Sequence, residues 1–450
     1  LRTARYLRPS QIFFFITRRF MQSRSVKLNA IVITAPRTHD PVQPPCAVSG
    51  IYVNSRTFRF LNTNVDISNG DDSINWSAEN QTRLWNYNLH YFDYLRENVR
   101  SMDSKDRLIQ SWIDLNPQCS TPGWEPFTTS LRIVNWIFYF LQRPAKTVPD
   151  SWLKSLYLQT LWLEKNVERH ILANHYFENL KALFFAGCFF AGKDAKHWLT
   201  RSLNEIPAQV KEQTLDDGGH YERSPLYHCL MLENYLDIYN LAQRHSEALT
   251  PDFVNKMQLV SERSRNWLAD VLFPDGNIPL FNDSAFGIAA LPSDLFSYAK
   301  RLSFTDQRTS DEKYTLIDRP ASGLYGVRLE EDMFIVNCGE IGPSYQPGHT
   351  LCDFLSYELM LGAHRTIVDT GVFEYEAGGM RDYVRSTAAH NTVSINGGEQ
   401  SEIWGQFRVA RRARRIGADV KRLNRKVVFN GAYSGFYDNG NQVQHRRSAE

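Results

Sequence analysis

The chain is short of several things that would place it quickly. Its six cysteines, at positions 46, 119, 188, 229, 338 and 352, include no C-x-x-C pair and no dense cluster, which excludes a disulfide scaffold and predicts free thiols. Long hydrophobic runs are missing too. The one near the start, Ile12 to Ile16, is flanked by Arg8, Arg18 and Arg19 and is far below the roughly 20 residues a spanning helix needs, or the about 7 to 15 apolar residues of a secretory leader. An excess of one charge is also absent. A net charge of +2 over 450 residues gives no broad field to draw in nucleic acid, so any anionic ligand must be held by a local patch.

What is present is a globular chain, 42% hydrophobic and 22% charged, long enough for two domains. Residues 1–50 mix basic and aromatic residues with Pro36, Pro41, Pro44 and Pro45 and read as an arm or linker. From about 80 to 300, apolar residues recur at helical spacing, as in Trp85, Leu89, Phe92, Leu95 and in Leu226, Leu230, Tyr235, Ile238. Breaks fall at 117–123, 216–219 and 274–277, where Pro, Gly, Asp and Asn gather. After about 315 the pattern shortens to strand-length runs (Met333 to Val336, Arg365 to Val368, Asn391 to Ile395, Lys426 to Phe429), each followed by a turn signal. Helices first and strands second predict two segregated domains, 51–312 and 313–450, rather than a βαβ fold.

Five segments carry chemistry. Asn174-His175 stands ahead of an apolar run, where the amide can cap a helix or donate to a substrate carboxylate. Gly218 to His228 contains Ser224-Pro225, an N-cap with proline at the first helical position. That puts Tyr227 in the first turn, where the helix dipole should ease its phenol toward phenolate with Arg223 assisting; packing is the alternative role for Tyr221 and Tyr227. His349, after Gly348, is placed as a base. His390 with Asp369, and with Cys352 as a third donor, could bind zinc, though an imidazole–carboxylate bond is the simpler explanation of the pair. The basic run Arg408, Arg411, Arg412, Arg414, Arg415, Lys421, Arg422, Arg425, Lys426 is either a solvated face or a contact for an anionic chain; no recognised nucleic-acid module surrounds it.

Together with Leu84-Trp85-Asn86-Tyr87-Asn88-Leu89-His90-Tyr91-Phe92, the Gly-Gly-His-Tyr-Glu-Arg-Ser-Pro-Leu-Tyr-His run from Gly218, Pro-Gly-His from Pro347 and Ala-His-Asn-Thr-Val from Ala389, these segments resemble the heparinase II/III family of polysaccharide lyases over roughly residues 55 to 450. The resemblance implies an incomplete (α/α) toroid followed by an antiparallel β-sandwich that commonly runs on beyond this length. It implies β-elimination on a uronic-acid-containing acidic polysaccharide, with Asn174 holding the uronate carboxylate, Tyr227 moving protons and His349 as base or partner. His175, His220, Tyr221, Arg223 and Arg385 are then substrate contacts, and the setting is periplasmic. No cofactor is required. The family's metal motif, Gly-His-x-His-x-Asp, is altered here to Gly348-His349-Thr350-Leu351-Cys352-Asp353, so a zinc site would rest on Asp369 and His390 with or without Cys352. Two other functions fit: a surface-polysaccharide binding or assembly protein using the same cleft, and a glycoside hydrolase drawing two carboxylates from Asp216, Asp217 and Glu222.

Overall fold

The computed structural model describes residues 2–21, 25–26, 42–54, 56–69, 73–98, 101–143, 147–245, 249–305, 314–436 and 441–450. Most of the Pro-rich part of the arm, including Pro36 and Pro41, and the expected boundary at 312/313 lie outside them. The chain divides into two compact units, one of Leu1–Arg8, Val210–Glu233 and Leu259–Glu450, the other of Pro9–Gln209 and Asn234–Gln258.

Helices dominate up to residue 301: α1 Pro9–Met21, α2 Arg83–Tyr91, α3 Met102–Leu115, α4 Pro126–Leu141, α5 Asp150–Asn166, α6 Ala173–Phe189, α7 Lys193–Gln213, α8 Pro225–Arg244, α9 Pro251–Val271 and α10 Pro292–Arg301. A small hairpin, β1 Thr57–Phe60 with β2 Thr63–Asp66, precedes α2. Among the described residues no helix is long and apolar enough to cross a membrane.

The second unit is packed by aromatic rings. Phe92 leaves α2 in the left-handed region, φ 65°, which turns the chain back and places its ring against Trp76, Tyr94, Trp112 and Trp136. Each such side chain contributes about 1.5–3 kcal/mol when fully removed from water. Helix α4 is buried nearly all round, as an apolar helix must be. Its one cation, Arg132, lies 3.8 Å from the Trp112 ring centre and bonds Gln159 and the His90 carbonyl. His90 is fixed between the Trp76 carbonyl and the Trp112 indole N–H.

From residue 315 the first unit is antiparallel β. One sheet runs β3 Thr315–Arg319, β4 Leu324–Leu329, β5 Asp332–Asn337, β6 Tyr357–Leu361, β7 His364–Ile367 in sequence order. A second contains β10 Arg414–Leu423, β11 Lys426–Phe436 and β12 Gln442–Ala449, and a two-residue hairpin pairs β8 Ile403–Trp404 with β9 Arg408–Val409. Tyr325, Val336, Cys338, Phe354, Leu355, Val420, Phe429 and Tyr433 form a buried core contributed by both larger sheets, the sandwich arrangement that the family resemblance implies. All six cysteines are free thiols.

Two local expectations are corrected. Asn391 to Ile395 is not a strand: the Asn391 amide is drawn onto the carbonyls of Tyr357 and Val368 and the Thr392 hydroxyl onto Phe354, so side-chain bonds replace a ladder. And a short helix unannounced by the strand pattern, α11 Gly379–Arg385, interrupts the β region.

Candidate active site

The Gly218-Gly219 pair is a steric requirement. Gly218 sits at φ +92°, and a Cβ on Gly219 would lie 2.1 Å from the Ser322 hydroxyl oxygen. The tight turn sends the next residues inward and delivers the chain to Ser224, whose hydroxyl accepts from the Tyr227 N–H (3.4 Å) and donates to the Asp283 carbonyl (2.8 Å). Ser224 thus caps α8 and Tyr227 stands in its first turn, as the sequence predicts.

Around Tyr227 the first unit assembles a group of side chains that are far apart in sequence. The His349 imidazole stacks on the Tyr227 ring, centroids 3.7 Å apart at 27°. Its Nδ1 is 3.0 Å from an Asp283 carboxylate oxygen, and Asp283 is gripped by Arg381 through two bonds of 2.6 and 2.8 Å. Both Asp283 and Arg381 side chains are fully buried. The backbone repeats the link, with Asp283 N–H donating to the His349 carbonyl at 3.0 Å. A carboxylate is acceptor-only, so in the neutral imidazole the hydrogen-bond network assigns the proton to Nδ1 and the lone pair to Nε2. Burial alone would raise the Asp283 carboxyl; the His349 hydrogen bond and the Arg381 charge outweigh it and hold the group below its ordinary value.

Tyr227 departs from expectation. Burial pushes its phenol well above the ordinary value, and Tyr375, Asp283 and Glu222 add to the rise. The helix dipole does not reverse this because the first-turn N–H groups are already engaged, Tyr227 N–H by Ser224 and Leu226 N–H by Ser284. Arg223 does not assist either: its guanidinium bonds the carbonyls of Ala321 and Ser322. The Tyr227 hydroxyl instead meets that of Tyr375 at 3.1 Å. Tyr227 is therefore held as the phenol rather than eased toward phenolate.

The other candidates are bonded within the protein. His220 and Tyr221 are buried, the former near Gln213 and the latter bonded to Tyr345. Arg385 is buried with its N–H groups on the carbonyls of Gly405, Thr350 and Arg408. Asp217 takes the Ser322 N–H and hydroxyl and the Gly219 N–H, and Glu222 is buried with a carboxylate oxygen 3.9 Å from His349 Nε2, so neither stands as an exposed hydrolytic carboxylate. The donors proposed for zinc do not close around an ion. His390 Nδ1 is 2.9 Å from Asp369, Asp369 also accepts from Ser356 and Gly371, and the Cys352 thiol, pushed up by burial, points to the Ser401 carbonyl. Among the described residues no three His, Cys, Asp or Glu side chains are placed to hold a metal.

In the second unit, α6 begins at Ala173, after Leu172 and Ala173 itself at φ 66° and 54°. Two consecutive non-glycine residues in the left-handed region cost about 1–3 kcal/mol each and persist only where the surroundings fix them; here the Glu168 carbonyl accepts from both Ile171 and Leu172 N–H. Asn174 is therefore inside the first turn rather than at the cap. Its half-buried amide has no hydrogen-bond partner among the described residues. His175 Nδ1 is 3.2 Å from buried Glu168 and its ring lies 4.4 Å from that of Phe127. Burial would raise Glu168, but His175 and Asn179 hold it below its ordinary value.

Sequence reasoning missed Asp283, Arg381, Tyr375 and Glu168. The only available signal was the Asn282-Asp283-Ser284 turn, which reads as a loop.

A helical part followed by an antiparallel sandwich, with a histidine and a tyrosine ring stacked on each other, is the pattern the sequence comparison then makes specific. Residues 46–307 match Heparinase II/III N-terminus and 312–450 match Heparinase II/III-like, C-terminal, so the chain belongs to the heparinase II/III family. Among curated relatives, a heparin-sulfate lyase of Pedobacter heparinus is 24% identical over 343 residues, 71% of this chain and 48% of that protein. One of Bacteroides stercoris is 23% identical over 338 residues, 68% and 49% of the two. The chain spans about half the length of these relatives. A crystal structure of heparinase III superposes with TM-score 0.65 at 18% identity, covering 92% of this chain and 71% of the other. That of a mutant heparan sulfate lyase from Pedobacter heparinus gives 0.55 at 18%, covering 88% and 64%. At these identities the structures speak to fold alone.

Proposed function

We propose that this chain cleaves an acidic polysaccharide containing uronic acid by β-elimination. The observation that carries the reading is the Tyr227–His349 pair: an imidazole locked by Asp283 and Arg381 lies against a phenol held in its protonated form. In the reaction His349 Nε2 takes the C5 proton. The electrons of that C–H bond become the C4–C5 double bond, the C4–O4 bond breaks, and O4 leaves with the Tyr227 proton. Proton return from imidazolium to phenolate resets the pair. The C5 proton is acidic only if charge entering the carboxylate is met by fixed donors, a role that the family resemblance gives to Asn174. No step needs a metal or a redox cofactor.

The test is absorbance of the conjugated C4–C5 uronate on incubation with a panel of uronic-acid polysaccharides, heparan sulfate first because the curated relatives are named heparin-sulfate lyases. A rise that Tyr227→Phe abolishes supports the proposal. Cleavage without the double bond, or binding without cleavage across the panel, would overturn it.

A further inference from the structure

The β8–β9 hairpin is anchored in a way its two-residue strands do not require. Trp404 and Arg408 face each other across it, and residues 405–407 form the tip. From beneath, buried Arg381 donates to the Gln406 carbonyl through Nε (3.2 Å) and Nη2 (2.9 Å), and buried Arg385 donates to the carbonyls of Gly405 and Arg408. Arg381 is the same guanidinium that grips Asp283 and, through it, His349. One buried cation therefore sets the hairpin tip in register with the base.

What this rigid tip presents is apolar and cationic. Phe407 and Trp404 are 41% and 48% exposed, an unfavourable display for rings with no ligand. The Phe407 ring is 5.4 Å from that of Tyr375 and 6.3 Å from that of His349, so it is continuous with the acid–base pair. The exposed Arg408 guanidinium rests 5.1 Å from the Trp404 ring centre, while the indole N–H is tied to Thr3. Flat rings suit the C–H faces of a pyranose, and a guanidinium suits an anionic substituent, carboxylate or sulfate.

We infer that the β8–β9 hairpin is a saccharide-binding arm, in which Phe407 takes the sugar next to the scissile bond and Trp404 with Arg408 takes an anionic sugar beyond it. The inference rests on the lyase reading for the direction of the chain but not for binding itself. The probes are heparan sulfate and its desulfated counterpart, titrated into the full chain and into Trp404→Ala, Phe407→Ala, Arg408→Gln and Arg408→Lys, with KM and kcat measured in parallel and circular dichroism as the folding control. Trp404→Ala, Phe407→Ala and Arg408→Gln should each weaken binding and raise KM about tenfold; for Trp404→Ala and the Arg408 variants kcat should stay within about twofold, and Arg408→Lys should restore part of the loss. An Arg408→Gln effect on heparan sulfate alone assigns the contact to sulfate; an equal effect on both polymers assigns it to carboxylate. Wild-type binding and turnover in all the folded variants would overturn the arm and leave the lyase reading intact. Weakened binding in the variants, with no unsaturated product from any form, would support the arm and sink the lyase. If the wild type binds neither polymer, the arm is overturned.

Discussion

Removing Arg381 is the sharpest way to ask whether His349 is held as described. Its guanidinium and the Asp283 carboxylate are both fully buried, and it makes two bonds to Asp283 and two to the Gln406 carbonyl. Arg381→Met leaves Asp283 with His349 as its remaining side-chain partner, and stranding one member of a buried pair costs about 3–5 kcal/mol. Asp283→Leu combined with Arg381→Met removes the stranded charge, so the double variant should be no less stable than Arg381→Met alone, and the cycle should return a coupling of at least about 2 kcal/mol. The destabilisation also has a pH signature. In the native chain the Asp283 carboxyl is held below its ordinary value of 3.8, so its contribution is present above that value and fades as pH falls through the folded one. Without Arg381 burial dominates, the carboxyl rises, and stability declines as pH climbs past its unfolded value. The gap between native and Arg381→Met should therefore narrow in acid. Urea unfolding followed by tryptophan fluorescence measures both. Additivity within about 0.5 kcal/mol, or a gap independent of pH, would refute the buried pair and with it the fixed imidazole.

Further outcomes follow from the same geometry. Tyr227→Phe deletes one hydroxyl whose observed partner is the Tyr375 hydroxyl, so stability should move by less than about 1.5 kcal/mol while elimination is lost and polysaccharide binding persists; retained turnover would remove Tyr227 from the mechanism. Burial pushes His90 down to about 3 and His228 down to about 4 from 6.5. A depressed histidine keeps its folded state favoured above 6.5 and loses that advantage as pH falls, so each should cost about 2 kcal/mol of stability by pH 5. Calorimetry in buffers of different ionisation enthalpy should show proton uptake on unfolding there, and a flat stability profile between pH 6.5 and 5 would contradict it. Chelation should leave the melting temperature unchanged, because His390 Nδ1, Asp369 and the Cys352 thiol are directed at protein partners; a fall on chelation, reversed by zinc, would show that the donors rearrange around an ion.

The division into helices and strands was legible because it rests on periodicity, which a sequence displays directly. The turn chemistry was equally open: Ser224-Pro225 announces α8, and Gly218-Gly219 marks a turn that tolerates no Cβ. Where sequence reasoning went astray, a tertiary neighbour decided. Tyr227 lies in the expected turn with the opposite electrostatic outcome, since burial and nearby carboxylates outweigh a dipole whose N–H groups are already bonded. Asn391 to Ile395 has strand composition, but its polar side chains bond distant carbonyls first.

The two arginines show why the supporting part of the site could not be read. Arg381 and Arg385 are four apart on α11, a spacing that on any surface helix reads as a solvated basic stripe. Nothing local reveals that both are buried, or that one answers a carboxylate 98 positions earlier. A charge is stable in such a place only when its partners are already in position, so the helix, the Asp283 loop and the hairpin tip must form together. Their joint closure is what leaves His349 with a single orientation. The reacting groups are visible as residue types, while their preorganisation exists only once the fold has brought three separate segments onto one guanidinium.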